Sequence, residues 1–224
     1  MQQVIGLILP LAVGIDISAL SIAAVILILA TRNARSNGLT FLVGWMVGLF
    51  VVGGIALVIA SAAGLSSSTD STSRSVGVIN LLLGVLLLVL AARGWRSRPR
   101  SGEEPPLPKW MASLDTITPP RSAGLAALLS GINPKNLALN LAAMSIIASA
   151  GLPASSQLVA LLAFVLVGSI AIFVPVIVYF AGGDRAAAVL AGWKEFLIAN
   201  NPVIMAVLLL VFGVVLIGKG IGQL

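Results

Sequence analysis

The sequence predicts an all-α membrane protein: six transmembrane helices arranged as a 3+3 inverted repeat, with helices one and four broken. Three observations carry this expectation. The 224 residues are 59% hydrophobic and only 9% charged, with a mean hydropathy of +1.12, whereas soluble domains carry about 25% charged residues. Six apolar runs each approach the roughly 20 residues that a helix needs to cross the hydrocarbon core. The first and fourth runs are interrupted near their middle by polar stretches, Gly14-Ile15-Asp16-Ile17-Ser18 and Gly131-Ile132-Asn133-Pro134-Lys135-Asn136.

In chain order the runs span 4–29, 39–62, 76–92, 122–150, 157–180 and 202–219. Met1-Gln2-Gln3 lacks the basic region of a signal peptide and the run after it is too long for one, so it is expected to stay as a membrane helix. In the second run Gly44 and Gly48 form a small-xxx-small pattern, which allows helices to approach closely. Gly77 with Gly84 in the third run, and Gly213 with Gly220 in the sixth, recur at seven residues and are expected to be packing faces. Pro10 and Pro175 can kink the first and fifth runs. The second loop, 65–73, is a polar low-complexity connection. The third loop, 93–121, contains Pro105, Pro106, Pro108, Pro119 and Pro120 and should be mostly irregular. It divides the chain into a first repeat (1–92), a basic loop (93–121) and a second repeat (122–224). In the fifth loop Val189, Trp193, Phe196 and Leu197 recur at helical spacing, which suggests a short interfacial helix. Asn200-Asn201-Pro202 is a start signal for the last helix, a cap followed by a first-turn proline.

The Lys and Arg residues set the orientation. Arg32 and Arg35 lie in the first loop. In the third, Arg93, Arg96, Arg98, Arg100, Lys109 and Arg121 outnumber Glu103, Glu104 and Asp115; Arg185 and Lys194 lie in the fifth. The second loop has only Arg74 and the fourth has none. Odd loops are therefore expected to be cytoplasmic and both termini external. Trp45, Trp95, Trp110, Tyr179 and Trp193 are expected near the cytoplasmic interface, where amphipathic rings favour the headgroup level. The net charge of +6 is read as topology-setting loop charge rather than a nucleic-acid footprint, and the third loop also offers a surface for anionic lipid headgroups or a cytoplasmic partner. The chain contains neither cysteine nor histidine, which excludes disulfides, thiol chemistry and the commonest metal ligand. It carries no Gly-Lys-Ser/Thr phosphate loop and no Ser/His/Asp or zinc-type set. No catalytic role, metal or cofactor is expected.

The two polar breaks carry the candidate site. A lysine at bilayer depth costs roughly 2.5–3.5 kcal/mol on insertion scales, so such residues usually carry function. Pro134 cannot donate a backbone hydrogen bond and displaces a carbonyl one turn earlier, near Ser130. Gly14 and Gly131 let the chain leave the helix at low steric cost. Asn133, Asn136 and Asn140 follow i, i+3, i+7 spacing and form a polar stripe; Ser18 and Ser21 do the same below Asp16. Gly14-Ile15-Asp16 matches Gly131-Ile132-Asn133 at similar depth in helices of opposite direction, the pattern of inverted-repeat transporters with broken helices. Asp16 and Lys135 are the charges nearest the bilayer centre, where isolated charges are costly and a pair is tolerable. Asp16 then either exchanges a proton or cation during transport, with Lys135 holding it or a substrate anion, or forms a permanent salt bridge locking the repeats together. The substrate- or ion-binding set is Asp16, Ser18, Asn133, Pro134, Lys135, Asn136 and Asn140.

Asn133-Pro134-Lys135, together with Arg35-Ser36-Asn37-Gly38-Leu39-Thr40-Phe41-Leu42-Val43-Gly44-Trp45, resembles the LysE superfamily of six-helix exporters. The Asn-Pro-Lys-Asn-Leu form and the long basic, proline-containing central loop look most like its GAP branch, the glycopeptidolipid- and sulfolipid-addressing proteins. The resemblance covers nearly the whole chain. It implies a bacterial inner-membrane protein that helps move a cell-envelope glycolipid or related polar molecule outward. Asn133, Pro134 and Lys135 fall on the family motif. The superfamily often has a proline beside the polar centre of its first helix, whereas here the stretch is Gly14-Ile15-Asp16-Ile17-Ser18, so Asp16 is nominated by burial alone.

Three functions follow: a secondary exporter or flippase-like transporter of lipid-linked cargo, an exporter of small solutes such as basic amino acids or cations, or a non-transporting accessory subunit of a lipid export complex. The partners expected are membrane lipids, the substrate, and either a second copy or envelope-lipid synthesis and export machinery, with no nucleic acid. A laterally open apolar cavity leading to Asp16 and Lys135 would favour lipid. A closed polar vestibule would favour small solutes, and a tightly packed interior the accessory role.

Overall fold

The computed structural model describes residues 1–62, 70–96 and 109–224. Among them the chain is helical throughout: α1 (Gln2–Asp16), α2 (Ala19–Leu29), α3 (Ala34–Ala62), α4 (Asp70–Arg96), a 3-10 turn at Lys109–Thr116, α5 (Pro119–Gly131), α6 (Pro134–Ser149), α7 (Ala154–Val167), α8 (Ile170–Ala181) and α9 (Gly183–Ile221). Most of the second loop, and the heart of the third at 97–108, lie outside the described residues. The end of the third loop, expected to be irregular, forms the 3-10 turn.

Three helices are long and apolar enough to cross a membrane by themselves: α3, α4 and α9. Two further spans result if α1 with α2, bent by 56°, and α7 with α8, bent by 51°, are each one broken span. The fourth apolar run is divided into α5 and α6, of 13 and 16 residues, about 20 and 24 Å long at 1.5 Å per residue. The outward faces are hydrocarbon: Val43, Val47, Ile55 and Val58 on α3, Leu82, Val85 and Val89 on α4, and Val207, Leu210 and Val214 on α9 are exposed. Apolar surface of that extent belongs in a bilayer.

The predicted glycine faces are packing faces. Gly44 and Gly48 of α3 lie against the backbone of Ala123 and Ala127 in α5. The α4–α9 pair is an antiparallel glycine seam: a Cβ at Gly77 would stand 2.9 Å from the Gly220 carbonyl, and one at Gly84 2.8 Å from that of Gly213. The two seven-residue spacings are complementary halves of one contact, and Asn80 of α4 donates to the side chain of Gln223, just beyond the end of α9 (2.9 Å). The interior is filled by Phe41, Trp45, Leu49, Ile8, Leu11, Leu139 and Phe164.

Four expectations need correction. The last helix does not start at Asn200-Asn201-Pro202: α9 runs 39 residues from Gly183 with Pro202 inside it, so the interfacial helix and the last span are one element. Tertiary packing of its flanks outweighs the local start signal, and the Asn200 amide donates to the Phe196 carbonyl (2.8 Å) one turn earlier. The fifth run bends at Gly168-Ser169 rather than at Pro175, which lies within α8; Gly/Ser pairs are a recognised bending site. Pro10 likewise sits within α1, and that run bends at Ile17-Ser18. Trp45 is not at an interface but fully buried, its indole N–H donating to the Gly168 carbonyl at 2.9 Å.

The seam predicts a ranking of glycine substitutions. Gly84→Ala should destabilise the detergent-solubilised protein by about 1–3 kcal/mol through overpacking. Gly54→Ala, whose Cβ would meet nothing within 4 Å, should be neutral or stabilising because alanine favours helix. Thermal unfolding of the two variants checks this order.

Candidate functional site

A helix that ends inside the protein leaves its last four carbonyls without intrahelical partners. At the end of α1 each of these is accounted for. The Val13 carbonyl accepts from the Ile17 amide (3.2 Å) and that of Asp16 from the Ser18 amide (2.7 Å). The remaining two, Gly14 and Ile15, accept from the Lys135 ammonium at 2.7 and 3.2 Å, and Lys135 also donates to the Ile17 carbonyl beyond them at 3.0 Å. Lys135 is 3% exposed and all three of its N–H donors are used. A positive charge at a helix C-terminus also suits the helix dipole.

Asp16 works in the opposite sense. Its carboxylate accepts from the Ala171 amide at 2.9 Å, in the first turn of α8. The cap residue of α8, Ser169, makes no side-chain cap bond, because its hydroxyl donates to the Val165 carbonyl (2.6 Å). Asp16 therefore caps α8 from another helix, an anion at a helix N-terminus. Both charges reach one junction, but not as the direct ion pair that the sequence suggests. With all three ammonium donors on carbonyls, none is left for the carboxylate. Each charge is instead held by a helix end of opposite sign.

The other nominated residues divide between two places. Ser18 lies at the junction, buried, its hydroxyl 2.9 Å from that of Ser21. Asn133 caps α6, its side chain accepting from the Lys135 amide (3.1 Å), and Pro134 occupies the first helical position, where its missing N–H costs nothing. Asn136 and Asn140 face away from the junction. The Asn136 amide donates to the Leu129 carbonyl in α5 (3.0 Å) and the Asn140 amide to the Leu49 carbonyl in α3 (3.2 Å). Both side chains are fully buried, and their amide oxygens have no hydrogen-bond partner among the described residues. The predicted polar stripe thus joins α6 to α5 and α3, while the Lys135 side chain turns towards α1.

Sequence reasoning missed three participants. The bend at Gly168-Ser169 supplies the helix end that Asp16 caps, and the Gly/Ser pair in an apolar run was its signal. Trp45 holds that bend from α3. Asn37, fully buried, donates to the Ile117 carbonyl (2.9 Å) while its own carbonyl accepts from Ser122 (2.8 Å), tying α3 to the start of α5; a lone asparagine near a helix start gives no warning of that.

The junction itself is closely packed. A Cβ on Gly14 would meet the Phe212 ring at 2.6 Å and Leu139 at 2.9 Å. Beside it, between α2, α8 and the first half of α9, lies an apolar groove of about 350 Å³ lined by Ile22, Ala171, Val174, Pro175, Trp193 and Phe196. Val174, Trp193 and Phe196 are exposed, so the groove is open at the surface of the bundle. Ala171, whose amide holds Asp16, forms part of its wall.

Residues 8–222 match the profile of a family described as Sap, sulfolipid-1-addressing protein. The chain belongs to this family. The match runs from within α1 to the end of α9 and so includes every residue of the junction, the groove and the α6 motif. The resemblance to the glycopeptidolipid- and sulfolipid-addressing branch, carried by Asn133-Pro134-Lys135-Asn136-Leu137, is thereby borne out. Among curated proteins and solved structures, none matches the chain.

Removing the two charges should have unequal effects. Lys135→Met leaves three carbonyls without their donor and should destabilise by roughly 3–5 kcal/mol, as for breaking a buried charged contact. Asp16→Asn keeps an acceptor for the Ala171 amide and loses only the charge–dipole term, roughly 0.3–2 kcal/mol. Denaturant unfolding in detergent micelles checks the order; equal losses would contradict the capping roles.

Proposed function

We propose that this protein is a flippase-like secondary transporter of the bacterial inner membrane that helps move an envelope lipid, or a related lipid-linked polar molecule, outward. The observation that carries this reading is the apolar groove, open at the surface of the bundle and walled by the residue that holds Asp16. An apolar opening of this kind suits acyl chains, which need not leave hydrocarbon while a headgroup passes. The description of the family, which names a sulfolipid, fits an amphiphilic cargo. No enzymatic step is part of this reading.

In this reading α5 and α6 complete a sixth span, and the two halves of the chain are inverted repeats of the LysE superfamily type. The positions of the two breaks support it: α1 ends at Asp16 and α5 at Gly131, within two residues of the matched Gly14-Ile15-Asp16 and Gly131-Ile132-Asn133 segments. The basic odd loops would then face the cytoplasm and both termini the exterior. Lys135 serves as the latch of the junction, because in this conformation it has no donor free for a substrate. Binding of a proton or cation at Asp16 would weaken its hold on α8 and let the groove side move. A second reading, a non-transporting subunit that addresses lipid to synthesis or export machinery, is favoured by the dense packing at Gly14.

The test fills the groove without touching the junction. Val174→Trp should reduce, by roughly tenfold, the lipid that copurifies with the protein in mild detergent; filling an apolar site of this kind removes on the order of 1.4 kcal/mol or more. It should also lower lipid exposure at the cell surface in a strain that depends on the protein. Mass spectrometry showing unchanged lipid, together with flux of basic amino acids in proteoliposomes, would sink the lipid reading. Loss of surface lipid in cells without translocation by the purified protein would select the accessory role.

A further inference from the structure

The end of the bundle that carries both termini holds a second site, apart from the groove and the junction. A vestibule of about 490 Å³ is bounded by the start of α1, the first half of α4 and the ends of α6 and α9, with Gln3, Asn80, Ser149, Lys219 and Gln223 as its polar lining. Its wall is firm, because the seam contact of Gly77 with Gly220 lies directly beside Asn80 and Lys219.

Two features of this lining point to a ligand. Lys219 is partly buried, has no hydrogen-bond partner among the described residues, and shares the vestibule with no acidic side chain among those described. A lysine near a helix C-terminus can bond that helix's last carbonyls, but here the Gly218 and Gly220 carbonyls accept from backbone amides of Gly222 and Gln223. The second feature is Asn80, which is fully buried. Its amide nitrogen donates to the Gln223 side chain at 2.9 Å, and its amide oxygen has no partner among the described residues. Buried polar atoms are nearly always satisfied, and an unsatisfied one costs about 1–3 kcal/mol. An unpaired ammonium calls for an oxyanion, and an unpaired amide oxygen for a hydroxyl or N–H donor.

We infer that this vestibule is a headgroup site for an anionic, hydroxylated lipid, with a phosphate or sulfate oxygen on Lys219 and a headgroup hydroxyl on Asn80. Its depth agrees. Leu7 lines the vestibule, and Gly14, whose carbonyl takes Lys135, is seven residues further along α1, about 10 Å. The site is therefore near the start of α1, towards the level of the headgroups, while the junction lies deeper. The lipid source of the anion rests on the lipid-handling reading above; the binding chemistry does not.

The test uses the full chain in detergent micelles, with lipid binding followed by native mass spectrometry. Phosphatidylinositol should bind about tenfold or more tightly than phosphatidylcholine, the effect of one charge-assisted contact. Lys219→Gln should abolish that preference and Lys219→Arg should keep it. Asn80→Leu should weaken phosphatidylinositol but leave phosphatidic acid, which has no headgroup alcohol, unchanged. Equal binding of phosphatidylcholine, or an undiminished preference in Lys219→Gln, would overturn the inference. Inorganic sulfate bound as tightly as the lipid would reassign the site to a free anion and overturn the headgroup assignment. The readout involves no transport, so a protein that binds with this preference but moves no lipid keeps the site and loses the transporter reading. One that moves lipid without the preference does the reverse.

Discussion

The three hydrogen bonds from Lys135 to the carbonyls of Gly14, Ile15 and Ile17 are the constraint around which the rest of the molecule is arranged. A helix broken in an apolar interior exposes carbonyls that water cannot reach, and each unsatisfied group there costs several kcal/mol. A neutral side chain could satisfy one or two. A lysine satisfies three at once, and its charge finds a counter-field in the helix end itself. The buried cation and the broken helix therefore explain each other, and neither is tolerable alone.

The same logic extends to the other breaks. The start of α8 takes Asp16, and the Gly168 carbonyl takes the Trp45 indole N–H. Asn136 returns to the Leu129 carbonyl at the end of α5. Each broken helix is thus completed by a side chain from a different element, so the breaks hold the bundle together rather than weaken it. Around them the glycine seams of α3 with α5 and α4 with α9 bring backbones into contact. The glycine contacts of those seams are made by backbone atoms and uncharged side chains. Asp16 and Lys135, by contrast, sit at the junction among α1, α2, α6 and α8.

The polar and apolar openings are separated along the molecule. The groove beside Asp16 is hydrocarbon in character, whereas the vestibule at the terminal end holds Lys219 and amides. An amphiphile has the same division within one molecule. That correspondence is what the lipid-handling proposal draws from the two cavities, without assigning the junction a chemical step.

Composition alone determined that this is a helical membrane protein, because so few charges cannot clothe a soluble surface. The seven-residue glycine spacings determined packing faces, since a missing Cβ has few other uses in a membrane helix. Asn133-Pro134-Lys135 marked a break and a buried cation, because proline and lysine at such depth each demand compensation. What compensates them was decided by the tertiary structure. The partners of Lys135 lie 118 to 121 residues away in the chain and are backbone atoms, which carry no residue-type signature. Asp16 was legible as a charge out of place, but its partner is an amide at a bend that only a Gly/Ser pair announced. Trp45 looked interfacial from its type, yet its place was set by a carbonyl freed at that bend. Local sequence reports which groups will be in need; the fold decides which distant backbone meets that need.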